Sequence, residues 1–250
     1  MSLFNQIFHK KPNEPALADF SALGVDIHSH LVPGIDDGSD KVETSLEIMR
    51  GFENLGFKKM ITTPHIMEDF YKNNPEVINT GLEVVRKAAL SEGITLKLEA
   101  AAEYNIDDGF EKKFKNDKLM TFGDNYILVE LSTFTPHPNL LTILFNLQLE
   151  GYRIVLAHAE RYSYWYDDMK GYEELRDRDV LFQVNLLSFI SNHKPAIKKM
   201  AEKLASHDMI DFLGSDIHNP GNLRYYQGCL SDNWIIHLVR SGRLLNSSLL

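Results

Sequence analysis

Two histidines one residue apart, His28 and His30, end the apolar run "ALGVDIHSH", and the turn that follows carries Asp36, Asp37 and Gly38. In an extended chain, residues two apart share a face, so both imidazoles can reach one metal ion. "GSDIH" near the other end repeats the device with Asp216 and His218. Between them, residues of similar chemistry end further apolar runs. His65 follows "MITTP", Glu103 follows "LKLEAAA", Glu130 follows "YILV", and His158 and then Arg161 follow "YRIVLA". Imidazole suits zinc, iron or manganese, and carboxylates bridge such ions. Taken singly, several have blander roles: His65 after Pro64 fits a turn, Glu130 a helix cap or a lysine partner. Jointly, independent runs that each end in a ligand point to two or three ions sharing carboxylates. Asp36 fits turn chemistry, accepting backbone N–H groups near Gly38, and one of Asp36 and Asp37 is also a ligand candidate. His9, His137, His193, His207 and His237 lack this placement.

The elements that must position these residues follow from periodicity. About seven strand candidates run through the chain: the opening stretch, then "FKKMITTPH", "GITLKLEAAAEY", "NYILVEL", "YRIVLAHAER", "VLFQVNLLS" and "IDFLGSDIHN". Only the sixth ends without a ligand candidate. Helical patterns alternate with them. Val42, Leu46, Met49, Phe52 and Leu55 recur at helical spacing, with Ser39 or Asp40 as cap and Gly56 as stop. "NNPEVINTGLEVVRKAALSEG" has an Asn cap, Pro75 in its first turn and Gly93 at its end. Alternating strands and helices predict parallel strands with helical crossovers, as in an α/β barrel. In a barrel the strand C-termini converge on one face, so residues distant in sequence meet in one pocket. A doubly wound sheet is the alternative, but no glycine-rich phosphate fingerprint follows the first strand.

Composition narrows the function. A chain of 250 residues with net charge −9 repels phosphate backbones, which argues against nucleic acid as a partner. The single cysteine, Cys229, permits no intramolecular disulfide, and Ile235 stands where a cysteine-phosphatase loop needs arginine, so a structural role is expected. No run reaches the ~18 apolar residues of a membrane helix. The start, with Leu3, Phe4, Ile7 and Phe8, has too short an apolar run for a signal peptide. The expectation is a cytoplasmic protein with a flexible segment at 1–20 and one domain over 21–250.

Read together, "DIHSHLVPGIDDG", "TTPH", "AEYN", "ILVEL", "LAHAERY" and "GSDIHN" resemble the polymerase-and-histidinol-phosphatase (PHP) superfamily, and within it the bacterial manganese-dependent protein-tyrosine phosphatases of capsule and exopolysaccharide loci. The resemblance spans about Gly24 to Arg224. It implies a distorted seven-stranded, TIM-like β/α barrel with three divalent ions, manganese first, iron or zinc as alternatives. His28, His30, Glu103 and Asp216 would hold one ion. Glu103 would bridge to a second, completed by Glu130 and His158, and Asp37, His65 and His218 would hold the third. Arg161 and Arg224 match phosphate-binding arginines of the family. Ala159 departs from the usual proline, Arg224 lies one residue later than in some relatives, and Tyr104 and Asn105 stand where some relatives have an arginine after the bridging glutamate.

The implied chemistry is coherent. Paired ions supply a bridging hydroxide for in-line attack on phosphorus, and arginine offers bidentate donors to the phosphoryl oxygens. A tyrosine phenol, with a pKa of about 10, leaves with little acid assistance. Tyr162, Tyr164 and Trp165 in "ERYSYWYDD" are candidates for a rim that contacts the phosphotyrosine ring. The implied partner is a bacterial tyrosine kinase controlling polysaccharide export. A small-molecule phosphatase of the same superfamily, an amidohydrolase and a non-catalytic scaffold that binds the kinase tail are the rival expectations.

Overall fold

In the computed structural model, which describes residues 14–190 and 194–250, every strand ladder is parallel. The strands are β1 (Val25–Asp26), β2 (Lys59–Thr62), β3 (His65–Ile66), β4 (Lys97–Ala100), β5 (Glu103–Asn105), β6 (Tyr126–Glu130), β7 (Arg153–Leu156), β8 (Leu181–Asn185) and β9 (Phe212–Gly214). The helices between and after them are α1 (Val42–Asn54), α2 (Pro75–Ser91), α3 (Phe110–Asn116), α4 (Leu140–Leu149), α5 (Lys170–Arg176), α6 (Leu186–Ile190), α7 (Pro195–Ser206), α8 (Leu223–Cys229) and α9 (Asn233–Arg240).

The ladders differ from the seven unbroken strands expected. They form a three-stranded sheet, β1-β2-β4, and a six-stranded sheet, β3-β5-β6-β7-β8-β9. The reason is local. Pro64 has no N–H to offer a ladder, so the second run splits into β2 and β3. The third run splits alongside it at Ala101 and Ala102. Single backbone bonds carry the sheet across the break: Thr63 N–H to Ser29 O (2.7 Å), Ala101 N–H to Thr62 O (2.9 Å) and Glu103 N–H to Pro64 O (3.1 Å). An isolated parallel bridge then joins Ser29 to Ile217, beyond β9. The result is a curled parallel sheet whose first and last strands meet.

Alternation along the strands divides the apolar residues. Tyr126, Leu128, Val155, Ala157 and Phe212 join a small cluster with Val25, Ile27 and Ile61. Their neighbours Ile127, Val129, Ile154, Leu156 and Leu213 face the larger cluster shared with the helices. The same parity takes Tyr126 and Leu128 on to Glu130, so the ligand candidates stand above the small cluster. Helix ends agree in part with expectation. Asn74 caps α2 through Val77 N–H at 3.0 Å, and Gly56 and Gly93 adopt positive φ after α1 and α2. The residue at the α1 cap, however, is Lys41, whose side chain makes no capping bond; the Asp40 carboxylate instead accepts from the Thr44 hydroxyl.

Of the N-terminal segment, residues 1–13, with Leu3, Phe4, Ile7, Phe8 and His9, lie outside the described residues, as does His193. Closer to the sheet, Leu17 N–H bonds Leu230 O at 2.9 Å, and Phe20 is buried with its N–H on Leu55 O at 2.8 Å.

Two polar clamps hold β1 against β9. The buried Asp26 carboxylate accepts from Ser215 N–H and Ser215 Oγ, both at 2.7 Å. Below it, the fully buried Asn246 accepts from Leu213 N–H (3.0 Å) and donates to Val25 O (2.9 Å) and Leu213 O (2.7 Å). Asn246→Ala strands these three backbone groups, an expected loss of about 3 kcal/mol. Urea unfolding checks it; an unchanged midpoint would contradict the clamp.

Candidate metal centre

Each strand end delivers its side chain to one place. Glu103, at the start of β5, is fully buried, and four imidazoles approach its carboxylate. Its Oε2 lies 3.1 Å from His28 Nε2, 3.1 Å from His65 Nδ1 and 3.5 Å from His30 Nε2; its Oε1 lies 3.0 Å from His158 Nε2. Asp216 Oδ1 stands 3.4 Å from His28 Nε2, 3.5 Å from His30 Nε2 and 3.6 Å from His218 Nδ1. Glu130 reaches His65 Nδ1 (3.4 Å) and His158 Nε2 (3.7 Å). Asp37 Oδ1 lies 3.5 Å from both His65 Nε2 and His218 Nε2. All nine residues singled out by spacing are thus brought together.

Three groups have ligand atoms close enough to share an ion: His28, His30 and Glu103; His65, Glu103 and Glu130; and His30, Asp37, His65 and His218. They overlap with the sets implied by resemblance but differ in detail. His65 stands with Glu103 and Glu130, beside His158, and His30 also borders the group of Asp37 and His218.

The electrostatics explain why these groups need cations. Burial would raise Glu103, yet His28 and His65 hold it well below the usual carboxylate range. Burial likewise opposes ionisation of Asp216, and His28 and Arg161 outweigh it. Burial would depress the imidazoles, but Glu103 and Asp216 raise His28 to about 9, and Glu103 and Glu130 raise His65 to about 10. Protons thus supply the positive charge that the carboxylates demand. The donor set also fits metal ions better than hydrogen bonds. Glu103 Oε1 and His65 Nδ1 are buried with no hydrogen-bond partner, although His158 Nε2 lies 3.0 Å from the first and Glu103 Oε2 3.1 Å from the second. The atoms converge on shared space instead of aiming at one another.

The arginines and the aromatic residues near the cluster stand at different depths. Arg161, half-exposed, donates to Asp216 Oδ2 at 2.7 Å and flanks the cluster. Arg224 is exposed on α8; its guanidinium donates to Tyr225 Oη at 2.7 Å and covers that ring. Tyr162 is not a rim residue. It is fully buried, its hydroxyl accepting from Leu131 N–H (3.0 Å) and donating to Ala157 O (3.1 Å), because the turn after His158 folds inward. Tyr164 and Trp165 are half-buried, with ring centroids 4.8 Å apart.

Other contacts escaped the sequence reading. Asp36 does accept from Gly38 N–H (3.0 Å), but its other oxygen holds His30 Nδ1 (2.8 Å) and His65 N–H (3.1 Å). Tyr71 stacks on His65, with centroids 5.5 Å apart. On β8, Gln183 and Asn185 turn buried amides toward the cluster. Their signal was available: two polar residues at period two inside the apolar run "VLFQVNLL".

The proton-held cluster has a pH signature. His28 and His65 have folded values near 9 and 10, above their ordinary 6.5. Their contribution is complete below 6.5 and is lost as pH rises through the folded values. In a chelator, thermal stability should therefore decline from pH 6.5 towards 9. With Mn²⁺ it should not, because ligation requires unprotonated imidazole. Melts across that range test this; a flat chelator profile would refute it.

Comparison with known proteins identifies the family. Residues 24–226 match the family model described as capsular polysaccharide synthesis, CpsB/CapC. Tyrosine-protein phosphatase YwqE of Bacillus subtilis is 29% identical over 197 residues, which is 78% of this chain and 77% of that protein. Tyrosine-protein phosphatase CpsB of Streptococcus pneumoniae is 29% identical over 202 residues, covering 78% and 83%. Among solved folds, one from the crystal structures of YwqE and CpsB, described as metal-dependent tyrosine phosphatases, superposes with a TM-score of 0.79 at 25% identity over 90% of both chains. With the family model spanning most of its length, the chain belongs to the CpsB/CapC family of capsular polysaccharide synthesis.

Proposed function

We propose that this protein is a metal-dependent protein-tyrosine phosphatase acting on phosphotyrosine of a bacterial tyrosine kinase that governs capsular or exopolysaccharide synthesis. The observation that carries this reading is the buried Glu103 carboxylate shared by four imidazoles, with Asp37, Glu130 and Asp216 around it. The relatives named as tyrosine phosphatases support the substrate class.

Three divalent ions, manganese first, are assigned to His28, His30, Glu103 and Asp216; to Glu103, Glu130 and His158; and to Asp37, His65 and His218. Ions held there would activate water at neutral pH and neutralise phosphoryl oxygens. The chain's own residues do the rest. Arg161, anchored on Asp216 at one edge, offers its remaining donors to the equatorial oxygens. Asp36 fixes the His30 ring, so that its Nε2 faces the carboxylates. The phenolate needs little acid assistance, since its conjugate acid has a pKa of about 10. Arg224 is assigned to an approaching phosphoprotein, and Tyr164 and Trp165 to the rim.

The curled sheet is read as a distorted barrel of seven strand runs, supported by the Ser29–Ile217 bridge. Residues 21–250 are read as one catalytic domain behind the 1–20 segment. Among the described residues no helix is long and apolar enough to cross a membrane. Placement in the cytoplasm is proposed from the single cysteine, Cys229, which is free and buried and fits a reducing compartment.

The deciding experiment is phosphate release from a phosphotyrosine peptide by metal-stripped protein, before and after Mn²⁺, with His30→Ala alongside and histidinol phosphate as a second substrate. Mn²⁺ should restore wild-type activity on the peptide and leave His30→Ala at least 100-fold slower, by the roughly 10–100-fold effects seen even for partners of metal ligands. Activity confined to histidinol phosphate would replace the proposal with a small-molecule phosphatase. Trp165→Ala tests the rim: KM should rise more for the peptide than for a small aryl phosphate, and equal effects would remove Trp165 from it.

A further inference from the structure

β8 is the strand run that ends without a metal-binding candidate, yet its inner face is polar. Gln183 and Asn185 lie two residues apart on that face and are 0% and 2% exposed. Buried amides at the floor of a metal-binding cluster must be satisfied, and here the partners fix the direction of every bond.

The chain of bonds begins at the backbone N–H of His158, which can only donate. The Gln183 atom 2.8 Å from it is therefore the carbonyl oxygen, Oε1. The same oxygen lies 2.9 Å from His28 Nδ1, so Nδ1 carries the hydrogen. His28 Nε2 is then the nitrogen turned to Glu103 and Asp216, at 3.1 and 3.4 Å. With its oxygen engaged, Gln183 donates from Nε2 to Asn185 Oδ1 at 2.7 Å. That leaves Asn185 Nδ2 to donate to Asp216 Oδ2 at 2.9 Å. Asp216 Oδ2 also receives Arg161 Nη2 at 2.7 Å, so Oδ1 is the oxygen left facing His28, His30 and His218.

We propose that Gln183 and Asn185 are positioning residues, a one-way amide relay that sets the ligating nitrogen of His28 and the ligating oxygen of Asp216 and ties both to Arg161. This rests on the metal-phosphatase reading above and deepens it.

Two further features serve the relay. A Cβ at Gly214 would meet Gln183 Nε2 at 2.8 Å and His28 Cβ at 3.0 Å, so glycine leaves the relay its room. The buried Glu160 accepts from Asn185 N–H (3.1 Å) and Ser188 Oγ (2.5 Å), which holds the end of β8 against the turn that carries Arg161.

The test measures Mn²⁺ affinity of the full chain by chelator competition, with melting temperature recorded beside it. Gln183→Met and Asn185→Leu remove the relay's polar atoms at similar volume. Each should weaken Mn²⁺ binding roughly 10–100-fold. Gln183→Glu keeps the acceptor for His28 and His158 but loses the donor to Asn185. It should bind Mn²⁺ more tightly than Gln183→Met and raise KM for an aryl phosphate, because Asp216 and Arg161 lose their alignment. Leu82→Ala, which opens a cavity under α2 away from the centre, should lower melting temperature and leave Mn²⁺ affinity unchanged. Wild-type affinity in Gln183→Met and Asn185→Leu would overturn the relay, and so would equal weakening in Leu82→Ala. If the methionine and leucine variants do not fold, Gln183→Glu decides, and an unchanged KM there overturns the relay. Wild-type protein that binds no Mn²⁺ would bring down the metal reading itself, which is a separate outcome.

Discussion

A carboxylate with no access to water stays ionised only with positive charge beside it. Glu103 is that carboxylate, and much of this molecule can be understood as the means of surrounding it. Four imidazoles from three strand runs come within 3.5 Å of its oxygens. They can do so because parallel strands all end on the same side and curl until the first meets the last. The breaks at Pro64 and at Ala101–Ala102 belong to the same arrangement. They interrupt the ladders next to the cluster, where His65 and Glu103 resume pairing as register partners.

Around that centre the polar groups are graded. Of the atoms facing the shared space, Glu103 Oε1 and His65 Nδ1 lack hydrogen bonds. On the far sides of two rings the nitrogens are firmly held: His30 Nδ1 by Asp36, His28 Nδ1 by Gln183. Asp216 divides the two roles between its oxygens. Backbone geometry contributes as well. His158 and Asp216 both adopt positive φ, a conformation uncommon outside glycine, at the points where their strands turn into the site.

Much of this was legible in the sequence, for physical reasons. The H-x-H pair continues the alternation of its strand run, and the strand runs stand out because they are buried on both faces. Asn74 and Gly93 announce the ends of α2 because caps act locally. What was not legible depends on tertiary context. The ladder break follows from Pro64 but also from its neighbour's register. The cap of α1 fell on Lys41 because Asp40 bonds to Thr44 instead. Tyr162 was misplaced because an aromatic run has no periodicity to separate an inward ring from an outward one. Gln183 and Asn185 carry a real signal, polar residues at period two, but amides do not advertise chemistry as imidazoles do.

The clamp between Asp26 and Ser215 spans 189 positions of sequence. His28 and Asp216, which it aligns, come from opposite ends of the chain. During synthesis the histidine pair leaves the ribosome long before the aspartate exists, so a half-made chain offers only fragments of the centre. Closing so long a loop is also among the slower events of folding. The full set of candidate ligands is therefore assembled only in finished molecules, and a complete centre marks that the last strand has docked.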